Sequence, residues 1–222
     1  MPAFVAVVVV LAVVNLTRDH APNGVWQVVV MAALGLVVWR AGLTRDELGL
    51  GRGTARRGLG VGAIVFVGIA ILVILGGALG LVTDERVAGS GAEAAWRIFV
   101  VIPLGTVAVE EFAFRGVLFG LGERLWESRT ALVVNAVLFG MWHLYPAATG
   151  GAVTSPDTAG VEVAGPWLVA GTVLATTAAG FAFAGLRRTT KSVISPAFAH
   201  LALNSVGYAV AYCAGSRFGG MT

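Results

Sequence analysis

The stretch Val107–Gly116 reads VAVEEFAFRG. It sets two adjacent carboxylates and an arginine inside a run that is otherwise apolar. Working outward, the apolar run extends from about Trp96 to Leu121, long enough to cross a bilayer, since a spanning helix needs about 20 mostly apolar residues. An ionisable side chain at the centre of such a helix costs about 2.5–3.5 kcal/mol on insertion scales, so each one needs a partner or a task.

The rest of the chain has the same character. Of its 222 residues, 57% are hydrophobic and 12% charged, whereas a soluble domain carries about 25% charge. The apolar excess runs along the whole chain. That pattern excludes a signal peptide on a soluble domain and a single membrane anchor. Besides Trp96–Leu121, six apolar segments read as helices: Ala3–Leu16, Val25–Trp39, Leu59–Val82, Ala131–Tyr145 (closed by Pro146), Pro166–Leu186 and Val193–Gly215. The expected fold is all-α: a polytopic helical membrane protein of about seven transmembrane helices, with its polar core in the last four. No fixed-period repeat or low-complexity linker breaks it. Residues 1–95 would supply the N-terminal helices and residues 96–215 the core of one continuous membrane domain.

The net charge of +3 comes mainly from arginines between the apolar runs. No basic face or aromatic-basic module points to nucleic acid. Loop basicity in a membrane protein reports orientation instead. The loop RAGLTRDELGLGRGTARRG is rich in arginine and RRTTK is purely basic, while TDERVAGSGAEAA and ATGGAVTSPDTAGVEVAG are acidic or neutral. The basic loops, with Arg52, Arg56, Arg57, Arg187 and Arg188, are therefore expected in the cytoplasm, together with the N-terminus. Arginine far outnumbers lysine, and Ala, Gly and Val dominate, a bias found in GC-rich bacterial genomes. The single cysteine, Cys213, allows no internal disulfide and reads as a small hydrophobe in the last helix.

Intramembrane polar residues concentrate on three helices: Glu110, Glu111 and Arg115; Asn135 and His143; His200 and Asn204. Glu111 and Arg115 are four apart, share a helix face and can pair. Glu110 points about 100° away and is left facing something else. His200 and Asn204 repeat the four-residue step, after a Ser195-Pro196 pair that looks like an N-cap followed by a first-turn proline. Phe139 and His143 form the same step in FGMWH. One unneutralised carboxylate, two imidazoles and an amide are parts for activating a water and stabilising an oxyanion. Counted from the helix ends, however, Glu110, His143 and His200 fall at different depths unless the fifth helix tilts or sinks toward the cytoplasm.

Three motifs in this order, EEFAFR, FGMWH and HLALN, resemble the CPBP family of intramembrane proteases, which includes the type II CAAX prenyl endopeptidases and the bacterial Abi or bacteriocin-processing proteins. The resemblance covers roughly Arg97 to Tyr212. It implies an intramembrane endopeptidase acting on a membrane-associated peptide or protein in the plasma membrane. It implies Glu110 as the general base, helped by His143, with Glu111 and Arg115 as the ordering ion pair and His200 and Asn204 as oxyanion donors. Phe139 is the remaining motif position.

Glu110, His143 and His200 are also a plausible zinc set with an open fourth position. The chain lacks the HExxH helix, which provides two ligands and a base on one face. A metal-free, glutamate-activated water is the favoured expectation. Two other classes compete: a proton-coupled transporter, against which stands the absence of an inverted repeat, and an inert immunity or scaffold protein, against which stand the intact motif positions.

Overall fold

The computed structural model describes residues 1–17, 24–81, 87, 89–149 and 165–219, with side chains to residue 215. Parts of the stretches Thr17–Gly24, Thr83–Ala95 and Ala147–Gly165, and with them most of the acidic or neutral loops, lie outside the described residues. Seven helices make up the described structure: α1 (Pro2–Thr17), α2 (Val25–Ala41), α3 (Arg52–Ala78), α4 (Gly91–Leu125), α5 (Ser128–Ala148), α6 (Pro166–Thr190) and α7 (Ile194–Gly215). No strand occurs among the described residues.

The helices α3 to α7 are long and apolar enough to cross a membrane, and α1 and α2 are shorter apolar helices of 16 and 17 residues. The surface agrees with a lipid solvent. Ile64 and Phe99 are 76% and 74% exposed, and contiguous apolar surface on this scale has no place in water. The chain is a multi-pass helical membrane protein.

Two helix starts differ from expectation. The helix α3 begins at Arg52, behind Gly51, rather than at Leu59. Arg52, Arg56 and Arg57 thus ride its first two turns instead of a loop, with long stems that can reach from an apolar helix to the polar boundary. At α7, Ser195 is not the N-cap: the helix starts at Ile194, and Ser195 Oγ lies 2.6 Å from Thr190 Oγ1. Ile194 N–H donates instead to Ser192 Oγ at 3.3 Å. Pro196 still falls in the first turn, where a missing N–H costs nothing.

The helix α4 is the spine. Ser90 and Glu93 cap its start reciprocally, and it runs 35 residues, about 52 Å at 1.5 Å per residue. Two stretches, Arg97–Val107 and Phe112–Leu118, widen to π-helix. The first contains Pro103, which has no N–H to give the ladder. The second begins directly after Glu111, and a third π segment, Ala202–Val206, begins two residues after His200 on α7. Such bulges are frequent at functional sites.

One end of the bundle is tied by the 42–51 loop. Arg124 on α4 donates to the Ala41 and Gly42 carbonyls and to both Glu47 oxygens. Arg187 on α6 donates to the Arg115 carbonyl at 3.0 Å and to the Glu47 carbonyl at 2.8 Å. Val193 N–H bonds the Gly49 carbonyl at 3.0 Å. Gly49 holds φ +70°, and a Cβ there would meet Arg187 Nε at 2.6 Å, so both its backbone and its lack of a side chain are needed. The ends of α2, α4 and α6 and the starts of α3, α5 and α7 therefore share one face.

These ties remove the depth mismatch. Arg187, close to the end of α6, donates to the Arg115 carbonyl, so the Gly116–Leu125 part of α4, about 15 Å long, extends beyond that bond and leans on the loop. Measured from Arg115, Glu110 lies about 8 Å in, and His200 lies about 9 Å into α7. The helix α5 starts beside the far end of α4, where Ser128 Oγ accepts from Arg188 Nε at 3.1 Å, and runs back along α4. Asn135 Nδ2 donates to the Phe114 carbonyl at 2.7 Å and Trp142 Nε1 to Glu110 at 3.0 Å.

Candidate active site

Glu110 and Glu111 lie on the short α-helical turn between the two π segments of α4, and both are buried. Glu111 Oε1 accepts from Arg115 Nη1 at 3.0 Å, the i, i+4 pair that the spacing predicts. The same oxygen lies 2.9 Å from His200 Nδ1. Glu111 is thus shared by a cation on its own helix and an imidazole on α7.

Arg115 is fully buried and sits in an aromatic cage. Its guanidinium carbon lies 3.9 Å from the Phe139 ring centroid, 4.9 Å from that of Phe183 and 5.8 Å from that of Phe114. A desolvated cation over a ring gains about 2 kcal/mol or more. Phe139 is therefore a packing residue for the ion pair. It also faces both imidazoles, His143 at 4.8 Å and His200 at 5.9 Å between centroids, and Phe183 stacks on His200 at 5.1 Å.

Glu110 turns the other way, as the 100° step requires. Its Oε1 accepts from Trp142 Nε1 at 3.0 Å, and its Oε2 lies 3.9 Å from His200 Nε2. Oε2 accepts no hydrogen bond among the described residues. His200 Nε2 also lies 3.2 Å from Asn204 Nδ2. Glu110, His200 and Asn204 hence meet at one imidazole edge.

His143 stands apart. It terminates the first segment of α5, and its Nδ1 lies 2.8 Å from the Phe139 carbonyl. That bond makes Nδ1 the protonated nitrogen and leaves Nε2 as an acceptor. No ion pair joins His143 to Glu110 or Glu111 among the described residues, so it reaches the site beside Trp142 and across Phe139 rather than through direct contact with a carboxylate.

A zinc set of Glu110, His143 and His200 requires three donors aimed at one point. Among the described residues, no three His, Cys, Asp or Glu side chains are grouped to hold a metal ion. Of the three, only Glu110 and His200 approach each other among the described residues, Oε2 to Nε2 at 3.9 Å; the Nδ1 bonds to protein oxygens are how a zinc-bound imidazole is held as well and decide nothing. The donor set does not fit, and no step below passes through a metal.

A family model described as type II CAAX prenyl endopeptidase Rce1-like matches residues 92–206, just over half of the chain. This chain belongs to that family. No curated protein and no solved structure matches it. The Rce1-like match runs from the first turn of α4 into α7 and contains all seven motif residues: Glu110, Glu111, Arg115, Phe139, His143, His200 and Asn204. The helices α1 to α3 lie outside it.

Three site-shaping residues of this Rce1-like chain carried no recognised signal in the sequence. Trp142 looks like a membrane-facing aromatic, yet its indole holds Glu110. Asn15, near the end of α1, donates to the Trp142 carbonyl at 2.9 Å. Arg187, in a basic pair that reads as a loop charge, is 1% exposed and binds the carbonyl of Arg115. Its one hint is Phe183, four residues earlier on the same face.

Proposed function

We propose that this chain is an intramembrane endopeptidase that hydrolyses peptide bonds of membrane-associated substrates with a water activated by Glu110, without a metal. The observation that carries this reading is the Glu110–His200 gap. One carboxylate oxygen is held by Trp142, while the other faces His200 Nε2 at 3.9 Å. That spacing exceeds a hydrogen bond, and the scheme places the attacking water against both atoms.

In this scheme Glu110 Oε2 takes a proton from the water as its oxygen bonds the scissile carbonyl carbon. The carbonyl π pair moves onto oxygen, and an Asn204 N–H donates to it; donation from His200 Nε2 as well requires a proton there, where in the structure Asn204 Nδ2 donates to that nitrogen at 3.2 Å. The carbon–nitrogen bond then breaks, and the leaving nitrogen takes the proton from Glu110. The family resemblance gives His143 a helping part in this proton transfer, from the far side of the Phe139 ring.

The enzyme would work in a bacterial plasma membrane with its N-terminus in the cytoplasm. The test is turnover of a lipid-embedded peptide by Glu110→Gln, with melting measured in detergent. Turnover should vanish and melting stay near that of the parent; retained turnover would show that the base is elsewhere. A chelator should leave the parent's turnover unchanged, and chelator loss restored by zinc would overturn the metal-free scheme.

A further inference from the structure

A glutamate has three side-chain torsions, so a general base at Glu110 needs something to fix which oxygen faces the water. Its Oε1 accepts the Trp142 indole N–H at 3.0 Å. Trp142 is buried and packs edge-on to Phe114, with ring centroids 6.0 Å apart. It ends the first segment of α5, where the last carbonyls of a helix lack intrahelical partners. The Trp142 carbonyl receives Asn15 Nδ2 at 2.9 Å from the last turn of α1, and Asn15 is buried there. A line of two hydrogen bonds thus runs from α1 through Asn15 and Trp142 to Glu110. It begins in a helix outside the 92–206 family match.

We propose that Trp142 is the positioning residue for the Glu110 carboxylate, and that Asn15 on α1 sets its place. This rests on Glu110 being the base. An indole nitrogen donates and never accepts, and the unprotonated oxygen of a carboxyl group is its better acceptor. The proton taken from water is therefore steered to Oε2, the oxygen facing His200. The N-terminal helix then belongs to the catalytic architecture.

A different role for Trp142 has a distinct signature. Its ring also lines an apolar groove of about 390 Å³ between α1, α4 and α5, with Leu11, Asn15, Phe114 and Met141. A groove wall affects substrate binding, whereas a positioning residue affects the chemical step.

The experiment uses the full chain in lipid with a membrane-embedded peptide. Trp142→Phe keeps the apolar body and removes the N–H. Its kcat should fall roughly 10- to 100-fold, the effect of losing a hydrogen bond to a charged group, with KM unchanged. Asn15→Leu keeps the indole, and its kcat should fall roughly 2- to 10-fold, as for a neutral bond. The double variant should be no slower than Trp142→Phe, because both act through one oxygen. A parental kcat for Trp142→Phe beside an inactive Glu110→Gln overturns the positioning role and leaves the base in place. A raised KM at constant kcat overturns it in favour of the groove wall. An active Glu110→Gln removes the base reading itself. If Trp142→Phe does not fold, Asn15→Leu decides, and a parental kcat there overturns the proposal.

Discussion

Glu111 and His200 are joined across α4 and α7 by a 2.9 Å contact between Oε1 and Nδ1, on the same oxygen that receives Arg115 at 3.0 Å. Glu111 is therefore both the counter-ion of a fully buried guanidinium and a link between α4 and α7. Glu111→Gln leaves Arg115 charged among three aromatic rings. Removing one partner of a buried pair costs about 3–5 kcal/mol. We predict that Glu111→Gln lowers expression, melting temperature and turnover together, whereas Glu110→Gln loses turnover alone. Thermal melts and activity of both variants check this. Early melting of Glu110→Gln with a stable Glu111→Gln would mean that the two acids have exchanged roles.

Outside the spanning segments, Glu47 gives the structure a pH-dependent tie. The Arg124 guanidinium, with help from Thr44, holds its pKa down from 4.5 to about 2. A carboxylate depressed in the folded state stabilises fully above its unfolded value and loses that contribution as pH falls toward its folded value. The window thus runs from about 4.5 down to about 2. Both side chains are about a third exposed, so solvent screening reduces the contribution to on the order of 1 kcal/mol. Glu47→Gln should melt below the parent at pH 7. The difference between the two should shrink across that window and shrink with added salt.

The helices were legible because a bilayer demands long apolar runs, and the Glu111–Arg115 pair was legible because four residues make one turn. The depth of Glu110 does not follow from the sequence, because apolarity alone does not give the length of α4, which runs from Gly91 to Leu125; the depth of His200 does. Gly116–Leu125 continues α4 with glycines, Glu123 and Arg124, since this part leans on the 42–51 loop rather than on lipid. Arg187 was read as a loop charge for the same reason: the sequence does not reveal that the loop folds back to cover it. The Trp142–Glu110 and Asn15–Trp142 bonds join residues 32 and 127 positions apart, and no helical periodicity encodes contacts between helices.

The face that carries the 42–51 loop should be cytoplasmic. In a Cys213→Ser background, single cysteines at Arg56, Arg57 and Thr189, all exposed, should resist an impermeant thiol reagent in intact cells and react after permeabilisation. Arg187 is unsuitable, because a buried side chain is silent on either side. Labelling of all three in intact cells would invert the orientation and place the N-terminus outside.

The two histidines should separate by stability. His200 donates to Glu111 and reaches Glu110 and Asn204 from its other nitrogen. His200→Gln weakens an imidazole link between α4 and α7, and a hydrogen bond to a charged group is worth about 1.5–3 kcal/mol. It should lose turnover and also melt earlier. His143 bonds only the Phe139 carbonyl of its own helix among the described residues, so it ties nothing together. His143→Gln should melt close to the parent. Its turnover should nonetheless fall by roughly 10²–10⁴-fold, the range for a group that shares proton transfer. Paired melts and rates of both variants check this. Parental turnover in His143→Gln would remove it from the chemistry and leave Glu110 and His200 to handle the water alone.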